Sequence, residues 1–255
     1  MIQYLIVCPL VFLAGLVDSI AGGGGLISLP AFLIAGVPEH IALGTNKASS
    51  SMGTVISTLR YLKNGYLKGR RMLVLAACSA VIAMLGSAIG SNLALLVSER
   101  VIRNMMLVVL PVVAFYVLRN KNVGADVQTK PLSDAATFTV ALLAAFFVGS
   151  YDGFYGPGTG TFLILILTGT AKMNVRNASA LTKVINLSSN IAALVTFLLN
   201  GKVLIPLGLA AGLFSVAGHY IGSGLVVSNG QKIVRPVVIL VLVILFGKIV
   251  YEMAY

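Results

Sequence analysis

The sequence predicts an all-helical protein that crosses a membrane several times and is built from two repeats. Hydrophobic residues make up 58% of the 255-residue chain and charged residues only 10%, and the mean hydropathy is +0.99. A water-soluble globule of this length does not need so much apolar surface. The apolar runs are long and unbroken, which favours membrane helices over a barrel of alternating strands. The third observation is an unusual polar pattern that occurs twice.

Eight apolar segments follow one another along the chain, and each is expected to be helical. They cover about residues 3–37, 41–61, 72–97, 101–118, 135–171, 177–199, 203–227 and 233–251. The longest hydrophilic run separates the fourth segment from the fifth. The sequence therefore divides into a first transmembrane repeat (1–118), a polar linker (119–134) and a second transmembrane repeat (135–255).

The duplicated pattern consists of an aspartate, a glycine cluster and a lysine inside the next apolar segment. Asp18 and Asp152 are 134 residues apart, and each precedes its glycine cluster by four residues. Lys47 and Lys183 are 136 residues apart and lie within the second and sixth segments. A duplication that breaks helices and places charge within apolar sequence points to a transport site.

The first and fifth segments are too long for one crossing. They contain 35 and 37 residues, and a straight helix of that length would measure about 50 Å against a hydrocarbon core of about 30 Å. The simplest geometry is a V-shaped re-entrant hairpin, in which two half-helices meet at a glycine tip near the membrane centre. The alternative is a single long helix that is kinked or tilted.

Loop charges favour the re-entrant hairpins. With segments one and five re-entrant and the N-terminus outside, 12 Lys and Arg residues lie on the inner side and 4 on the outer side. With all eight segments crossing and the N-terminus inside, the counts are 10 and 6. The positive-inside rule prefers the first arrangement. Each repeat then has three full crossings, and this odd number inverts the second repeat relative to the first.

The two glycine clusters are GGGG at 22–25 and GPGTG at 156–160. Backbone N–H groups at the start of the helix after each cluster would form an anion site at the positive end of the helix dipole. The hydroxyl of Thr159 could add a donor. The alternative is that these glycines only allow helices to pack closely.

Each lysine begins a polar stripe at helical spacing. Lys47 and Ser50 share one helical face, as do Lys183, Asn186 and Asn190. Burying a charge in a membrane segment costs at least about 2.5 kcal/mol, so such a residue is a functional candidate. The alternative is that the lysines extend along the helix to the membrane surface.

Asp18 and Asp152 could each pair with a lysine, cap a helix or carry a coupling proton, and a purely structural ion pair is an equal alternative. The only two histidines, His40 and His219, are far apart in sequence, which argues against a metal or haem site. The sequence has no phosphate-binding GxxxxGK[ST] motif, so no ATP drive is expected. No cofactor is expected either, and no aromatic-interleaved basic patch predicts nucleic-acid binding.

Two stretches resemble the signatures of a known family. GLVDSIAGGGGLISLPAFLIAGVPEHIALGTNKA is similar to the first signature of the TauE/SafE (TSUP) membrane proteins, and YDGFYGPGTGTF with LTKVINLSSN is similar to the second. The resemblance implies a prokaryotic permease for sulfite, sulfonates and related sulfur anions. It carries over the aspartates, glycines, lysines and amides of both signatures. Asn46 corresponds to Thr182 in the duplication, so the two half-sites differ chemically.

These observations together predict a secondary transporter of small anions, working by alternating access at a midplane site between the repeats. It would lie in the cytoplasmic (inner) membrane of a prokaryote, in contact with the lipid bilayer. The sequence does not decide between a monomer and a homo-oligomer. The expected substrate-binding residues are Gly22, Gly23, Gly24, Gly25, Thr45, Asn46, Lys47, Ser50, Gly156, Gly158, Thr159, Lys183, Asn186 and Asn190, with Asp18 and Asp152 as coupling or charge-pair residues.

Three other functions are considered beside this one. A passive anion channel would use the same residues, and a membrane sensor or scaffold would bind an anion without moving it. A membrane enzyme has the least support, because the sequence offers no metal cluster and no pairing of a nucleophile with a base.

Overall fold

The computed structural model describes residues 1–102, 104 and 132–229. The predicted segment 233–251, nearly all of segment 101–118 and most of the linker 119–134 lie outside the described residues. Eight helices have described bounds: α1 (Ile2–Ala21), α2 (Gly25–Ile34), α3 (Glu39–Lys63), α4 (Arg70–Leu96), α5 (Asp134–Phe154), α6 (Thr159–Gly169), α7 (Val175–Leu199) and α8 (Ile205–Asn229).

The helices repeat in order and in length. α1 and α5 have 20 and 21 residues, and α2 and α6 have 10 and 11. α3 and α7 both have 25 residues, and α4 and α8 have 27 and 25. Five of these helices (α1, α4, α5, α7 and α8) are long and apolar enough to cross a membrane. The predicted all-helical, multi-pass architecture is confirmed.

Segments one and five are both broken at their glycine clusters, as predicted. α1 ends at Gly22, which has a φ of 77° in the left-handed region, and α2 begins three residues later. The chain then folds back, because the Gln3 amide at the start of α1 donates to the Ala35 carbonyl just after α2, at 3.3 Å. In the second copy, the Thr137 hydroxyl donates to the Ala171 carbonyl at 3.4 Å. Each hairpin therefore returns to the side from which it started.

The expectation of two half-helices in each hairpin holds for the second arm and is wrong for the first. α1 and α5 are about 30 Å long, whereas α2 and α6 measure only about 15 Å. The reason is that the helix before each break starts near the beginning of its apolar segment. α1 continues through Pro9 and Gly15 without interruption. A full-length first arm and a short second arm make each hairpin asymmetric.

Contacts between helices fix their directions. A Cβ atom at Gly218 would lie 2.2 Å from the Phe12 carbonyl oxygen, and one at Gly222 would lie 2.4 Å from the Leu16 carbonyl oxygen. Because the residue numbers of the contacting residues increase in the same direction along both helices, α1 and α8 run parallel. The equivalent glycines of α4 make the same kind of contact with α5. A Cβ atom at Gly86 would lie 2.4 Å from the Phe146 carbonyl oxygen, and one at Gly90 would lie 1.9 Å from the Ser150 carbonyl oxygen.

The second copy runs opposite to the first. His40 near the start of α3 lies 3.0 Å from the Ala94 carbonyl oxygen near the end of α4, so these two helices are antiparallel. Thr45 near the start of α3 accepts from Leu204 N just before α8, at 3.0 Å, and Arg60 near the end of α3 donates to Tyr220 O late in α8. Hence α1, α3 and α8 point one way, and α4 and α5 the other. The predicted inversion of the repeats is confirmed.

α3 lies at the centre and α4 at the periphery. Thr45, Ser49 and Ser57 of α3 are each fully buried, although α3 is the most polar of the long helices. Val81 and Leu85 of α4 are 58% and 55% exposed, and these apolar side chains suit contact with lipid. Polar groups are therefore enclosed by protein rather than facing the bilayer.

Candidate functional site

The two glycine tips touch each other at the centre of the protein. A Cβ atom at Gly22 would lie 2.5 Å from Cα of Gly160, so only glycine allows the two backbones to come so close. The Thr161 hydroxyl donates to the Ala21 carbonyl at 3.1 Å and ties the second tip to the first. The breaks in both hairpins thus meet at one place.

Two buried ion pairs connect the repeats at this place. Lys47 Nζ lies 2.9 Å from Asp152 Oδ1, and Lys183 Nζ lies 2.9 Å from Asp18 Oδ2. The lysine of each repeat pairs with the aspartate of the other, as a two-fold relation requires. Both lysines are only 2% exposed. They do not extend to the membrane surface, so that alternative is wrong.

Hydroxyls complete the surroundings of Asp152. Its Oδ1 accepts from Thr159 Oγ1 at 2.9 Å, and its Oδ2 accepts from Ser189 Oγ at 2.6 Å. Thr159 is the first residue of α6, so Asp152 is connected to the start of the second hairpin arm. Gly156, with a φ of 100°, leaves room beside it, because a Cβ atom there would lie 3.0 Å from Lys47 Nζ.

Asp18 has different partners. Its Oδ1 accepts from the backbone N–H of Gly24 at the start of α2, at 3.2 Å. Its Oδ2 contacts both Lys183 and His219 Nε2, the latter at 3.1 Å. Lys183 also donates to the Asp18 backbone carbonyl. Both aspartates therefore pair with the lysine of the other repeat, whereas, among the residues that the structure describes, a backbone N–H beside a helix start donates to Asp18 alone.

His219 is a member of the site that sequence reasoning missed. It is 2% exposed and lies in α8, whose apolar composition hid its relation to Asp18. A signal was present, because Ser215, His219 and Ser223 follow at intervals of four residues and form a polar stripe on one face of the helix. The prediction of a site used the duplicated pattern and the two signature stretches, and His219 lies in neither.

A cavity with about 30 Å³ of free space lies against both ion pairs. Twelve of the sixteen residues predicted for the site line it. These are Asp18, Gly22, Gly24, Gly25, Asn46, Lys47, Ser50, Asp152, Gly156, Thr159, Asn186 and Asn190. Further lining residues are Val11, Ala14, Gly15, Ser28, Thr54, Ser215 and His219.

Four predicted residues lie elsewhere. Thr45 faces α8, where its hydroxyl accepts from Leu204 N. Lys183 is behind Asp18, and Gly158, with a φ of 85°, caps α6. Gly23 lies near Thr161 Oγ1, with a Cβ atom there at 3.8 Å.

Amide groups form a further part of the cavity wall. Asn190 Nδ2 donates to Asn186 Oδ1 at 2.6 Å. Asn46 is 6% exposed, and within the described part of the chain its Oδ1 has no hydrogen-bond partner. A buried amide without a partner is costly, so Asn46 is ready to bind a ligand or a water molecule.

The side chains of the cavity favour small polar ligands over metal ions. Among residues 1–102, 104 and 132–229, no group of three His, Cys, Asp or Glu side chains could hold a metal ion. The two carboxylates are each bound by an ammonium group. The free space holds about two water molecules.

Comparison with known proteins agrees with this architecture. A family model described as sulfite exporter TauE/SafE matches residues 7–249. The chain is 38% identical over 230 residues to "Probable membrane transporter protein ORF9" of Sinorhizobium sp, covering 90% of this chain and 85% of that protein. It is 34% identical over 242 residues to "Probable membrane transporter protein YfcA" of Escherichia coli K12, covering 94% and 87%.

A relative from Haemophilus influenzae, also named "Probable membrane transporter protein", is 32% identical over 244 residues, covering 96% of this chain and 93% of that protein. No solved structure gives a significant match. The resemblance found in the two signature stretches is confirmed over nearly the whole chain. The chain therefore belongs to the sulfite exporter TauE/SafE family, which is a family of membrane transporters rather than of enzymes.

Proposed function

We propose that this protein is a secondary transporter of small anions, sulfur oxyanions or organosulfonates, in the cytoplasmic membrane of a prokaryote. The observation that carries the proposal is the position of the cavity. It lies where the tips of two inverted hairpins meet, between ion pairs that join one repeat to the other. Inverted repeats with broken helices around a central site are the usual framework of alternating access.

The cavity wall offers the groups that an oxyanion needs. An oxyanion accepts hydrogen bonds from hydroxyls, amides and ammonium groups. Ser50, Thr54 and Asn46 face the cavity from α3, and Asn190 faces it from α7. The Asn46 amide, whose oxygen lacks a partner, can turn its N–H₂ group towards an anion, because the two ends of an amide are nearly equal in shape.

Lys47 contributes charge without being left unpaired. An ammonium group has three N–H donors, and the contact with Asp152 Oδ1 at 2.9 Å leaves others for a ligand. Carboxylates would repel an anion, but both are bound by cations here. We propose that the anion is held by the amides, the hydroxyls and Lys47, while Lys183 acts from behind Asp18.

Alternating access follows from the symmetry of these contacts. The Lys47–Asp152 pair and the Lys183–Asp18 pair exchange under the repeat relation. Two conformations of similar energy can therefore form when each repeat adopts the conformation of the other. The family description supports sulfur anions as substrates.

The decisive experiment is flux in proteoliposomes over a panel of sulfite, sulfate, thiosulfate and simple sulfonates. The expected result is saturable uptake and counterflow of at least one of these anions. The Lys47→Ala variant should lose flux, whereas Lys63→Ala, an exposed lysine at the other end of the same helix, should keep it.

The other functions give different results in the same preparation. Single-channel current without saturation would identify a passive channel. Binding of anions in detergent without any flux in liposomes would identify a sensor or scaffold. Either outcome would contradict the proposed transport function.

A further inference from the structure

The imidazole of His219 lies in a space that two other helices leave open for it. A Cβ atom at Gly53 of α3 would lie 2.4 Å from Nδ1, and one at Gly15 of α1 would lie 2.8 Å from the same atom. Any larger residue at either position would displace the ring. The side chain lines the cavity although it is buried, so it is placed to interact with whatever the cavity holds.

Both ring nitrogens of His219 face acceptors. Nε2 lies 3.1 Å from Asp18 Oδ2, and Nδ1 lies 3.1 Å from the backbone carbonyl oxygen of Ser215. The hydroxyl of Ser215 is further from Nδ1, at 3.5 Å. A neutral imidazole carries one N–H, and a carboxylate and a carbonyl only accept. The surroundings therefore accommodate either a neutral imidazole, with the Ser215 hydroxyl donating to Nδ1, or an imidazole that carries a proton on each nitrogen.

A second proton on the His219 ring would give the cavity a net positive charge. Asp152 is balanced by Lys47 and Asp18 is balanced by Lys183, each at 2.9 Å. One further proton on the Asp18–His219 pair therefore makes the sum +1.

The equivalent position of the other repeat holds a serine. Ser87 follows Gly86 as His219 follows Gly218, and its hydroxyl donates to the Ser189 carbonyl at 2.6 Å. The two half-sites differ by one titratable group.

Several charged or titratable groups surround His219, and each has a partner. α1 presents Asp18, α3 presents Lys47 and α7 presents Lys183, and Asp152 of α5 lines the same cavity. Tyr61 of α3 donates its hydroxyl to the Ser19 carbonyl at 2.7 Å. Histidine is the side-chain type whose ordinary charge change falls near neutral pH, and His219 is the histidine that lines this cavity.

We propose that the Asp18–His219 pair binds the proton that moves together with the anion, one proton for each monovalent anion. The inference rests on the proposed transport function. A cavity with neither proton nor anion has no net charge, and neither has a cavity with both. With only one of them it is charged, and an uncompensated charge inside a membrane protein is expensive. Only the empty cavity and the cavity that holds both the proton and the anion can then switch at low cost from one side of the membrane to the other.

The first test measures protons in detergent with the purified wild-type protein. The probe is methanesulfonate, a strong acid whose charge does not change over the range of about pH 5 to 8 in which histidine titrates. In weakly buffered solution at about pH 8, binding of methanesulfonate should remove about one proton per anion from the solvent. Anion binding without proton uptake would overturn the inference. This test needs no variant protein.

The second test measures flux in proteoliposomes. An inside-alkaline pH gradient should drive accumulation of methanesulfonate, and a potassium-diffusion potential should not change it, because one proton with one monovalent anion moves no net charge. The apparent affinity for methanesulfonate should rise about 5- to 150-fold between pH 8 and pH 5, the usual range for coupling between two ligands.

The variant His219→Gln tests the residue itself, because glutamine can still donate to Asp18 but does not titrate. We expect it to lose proton uptake and the pH dependence, and to make the remaining flux sensitive to the membrane potential. The matched control is His40→Gln, because His40 is also a buried histidine, 8% exposed against 2% for His219, but contacts Ala94 O away from the cavity. It should keep all three properties.

The outcomes separate the two proposals. Saturable methanesulfonate flux that ignores the pH gradient would overturn the proton site alone. Absence of flux for every anion of the panel would overturn the transport function, and the inference with it.

Discussion

Lys47 Nζ lies 2.9 Å from Asp152 Oδ1, and the two residues belong to different repeats. The pair is almost completely inaccessible to solvent, with the two side chains 3% and 4% exposed. It is mirrored by Lys183 and Asp18, so the charged centre of this transporter exists only when both repeats are assembled.

Removing one member of a buried ion pair should lower the free energy of unfolding more than replacing both members. Lys47→Ala leaves Asp152 as a buried charge without its cation, and we expect it to lower the free energy of unfolding by about 3–5 kcal/mol. The double variant Lys47→Gln with Asp152→Asn should recover most of this loss. Thermal or denaturant unfolding in detergent measures both.

The exposed pair of Arg71 and Asp134 serves as the control, because their side chains are 53% and 75% exposed. Solvent screens such a pair, so Arg71→Ala should change the free energy of unfolding by no more than about 1 kcal/mol. Equal losses at Lys47 and Arg71 would argue against a structural role for the buried pair.

The contact between the two hairpin tips should be sensitive to a single methyl group. Gly22→Ala places Cβ 2.5 Å from Cα of Gly160 and forces a left-handed backbone on alanine. We expect a loss of about 2–5 kcal/mol in the free energy of unfolding. Gly23→Ala is the matched control, because the atoms nearest to its Cβ are side-chain atoms at 3.8 Å. A stable Gly22→Ala protein would show that the tips do not touch.

Cysteine labelling in intact cells should reveal the two hairpins entering from opposite sides. In a background with Cys8 and Cys78 replaced by alanine, cysteines at the exposed positions Pro38 and Thr170 follow α2 and α6. An impermeant reagent should label position 38 from outside and position 170 only after the membrane is opened. Labelling of both from outside would support eight full crossings instead.

The amide of Asn46 should contribute directly to anion affinity. A hydrogen bond to a charged group is worth about 1.5–3 kcal/mol, so Asn46→Ala should weaken anion binding by about tenfold or more. Thr45→Ser is the control, since Thr45 is next in the chain but its hydroxyl accepts from Leu204 N and faces α8. Binding isotherms in detergent provide the comparison. Unchanged affinity in Asn46→Ala would remove this amide from the binding site.

Much of the fold follows from the sequence because its signals are local. The glycine clusters break helices wherever they occur, and the spacing of Lys47, Ser50 and Thr54 predicts one helical face whatever lies opposite. Loop charges gave the direction of the repeats. The unequal lengths of the hairpin arms were missed, although each glycine cluster lies past the middle of its apolar segment and leaves more residues before the break than after it.

The site was predicted less completely, for a different reason. Periodicity assigns residues to a face of their own helix but does not identify the helix packed against it. The pairing of Lys47 with Asp152, rather than with Asp18, depends on the inversion of the second copy. Thr45 was assigned to the cavity through its neighbours in a signature, although one residue along a helix turns a side chain by about 100°. His219 was missed because the duplication has serine, Ser87, in its place.

Glycine contacts join helices across the boundary between repeats. Gly218 and Gly222 hold α8 against α1, and Gly86 and Gly90 hold α4 against α5. Backbones this close interlock, so we expect each pair of helices to move as a single rigid body. The α1–α8 body combines the first hairpin arm of one repeat with the last described helix of the other. The mechanical units of this transporter are therefore not its units of duplication.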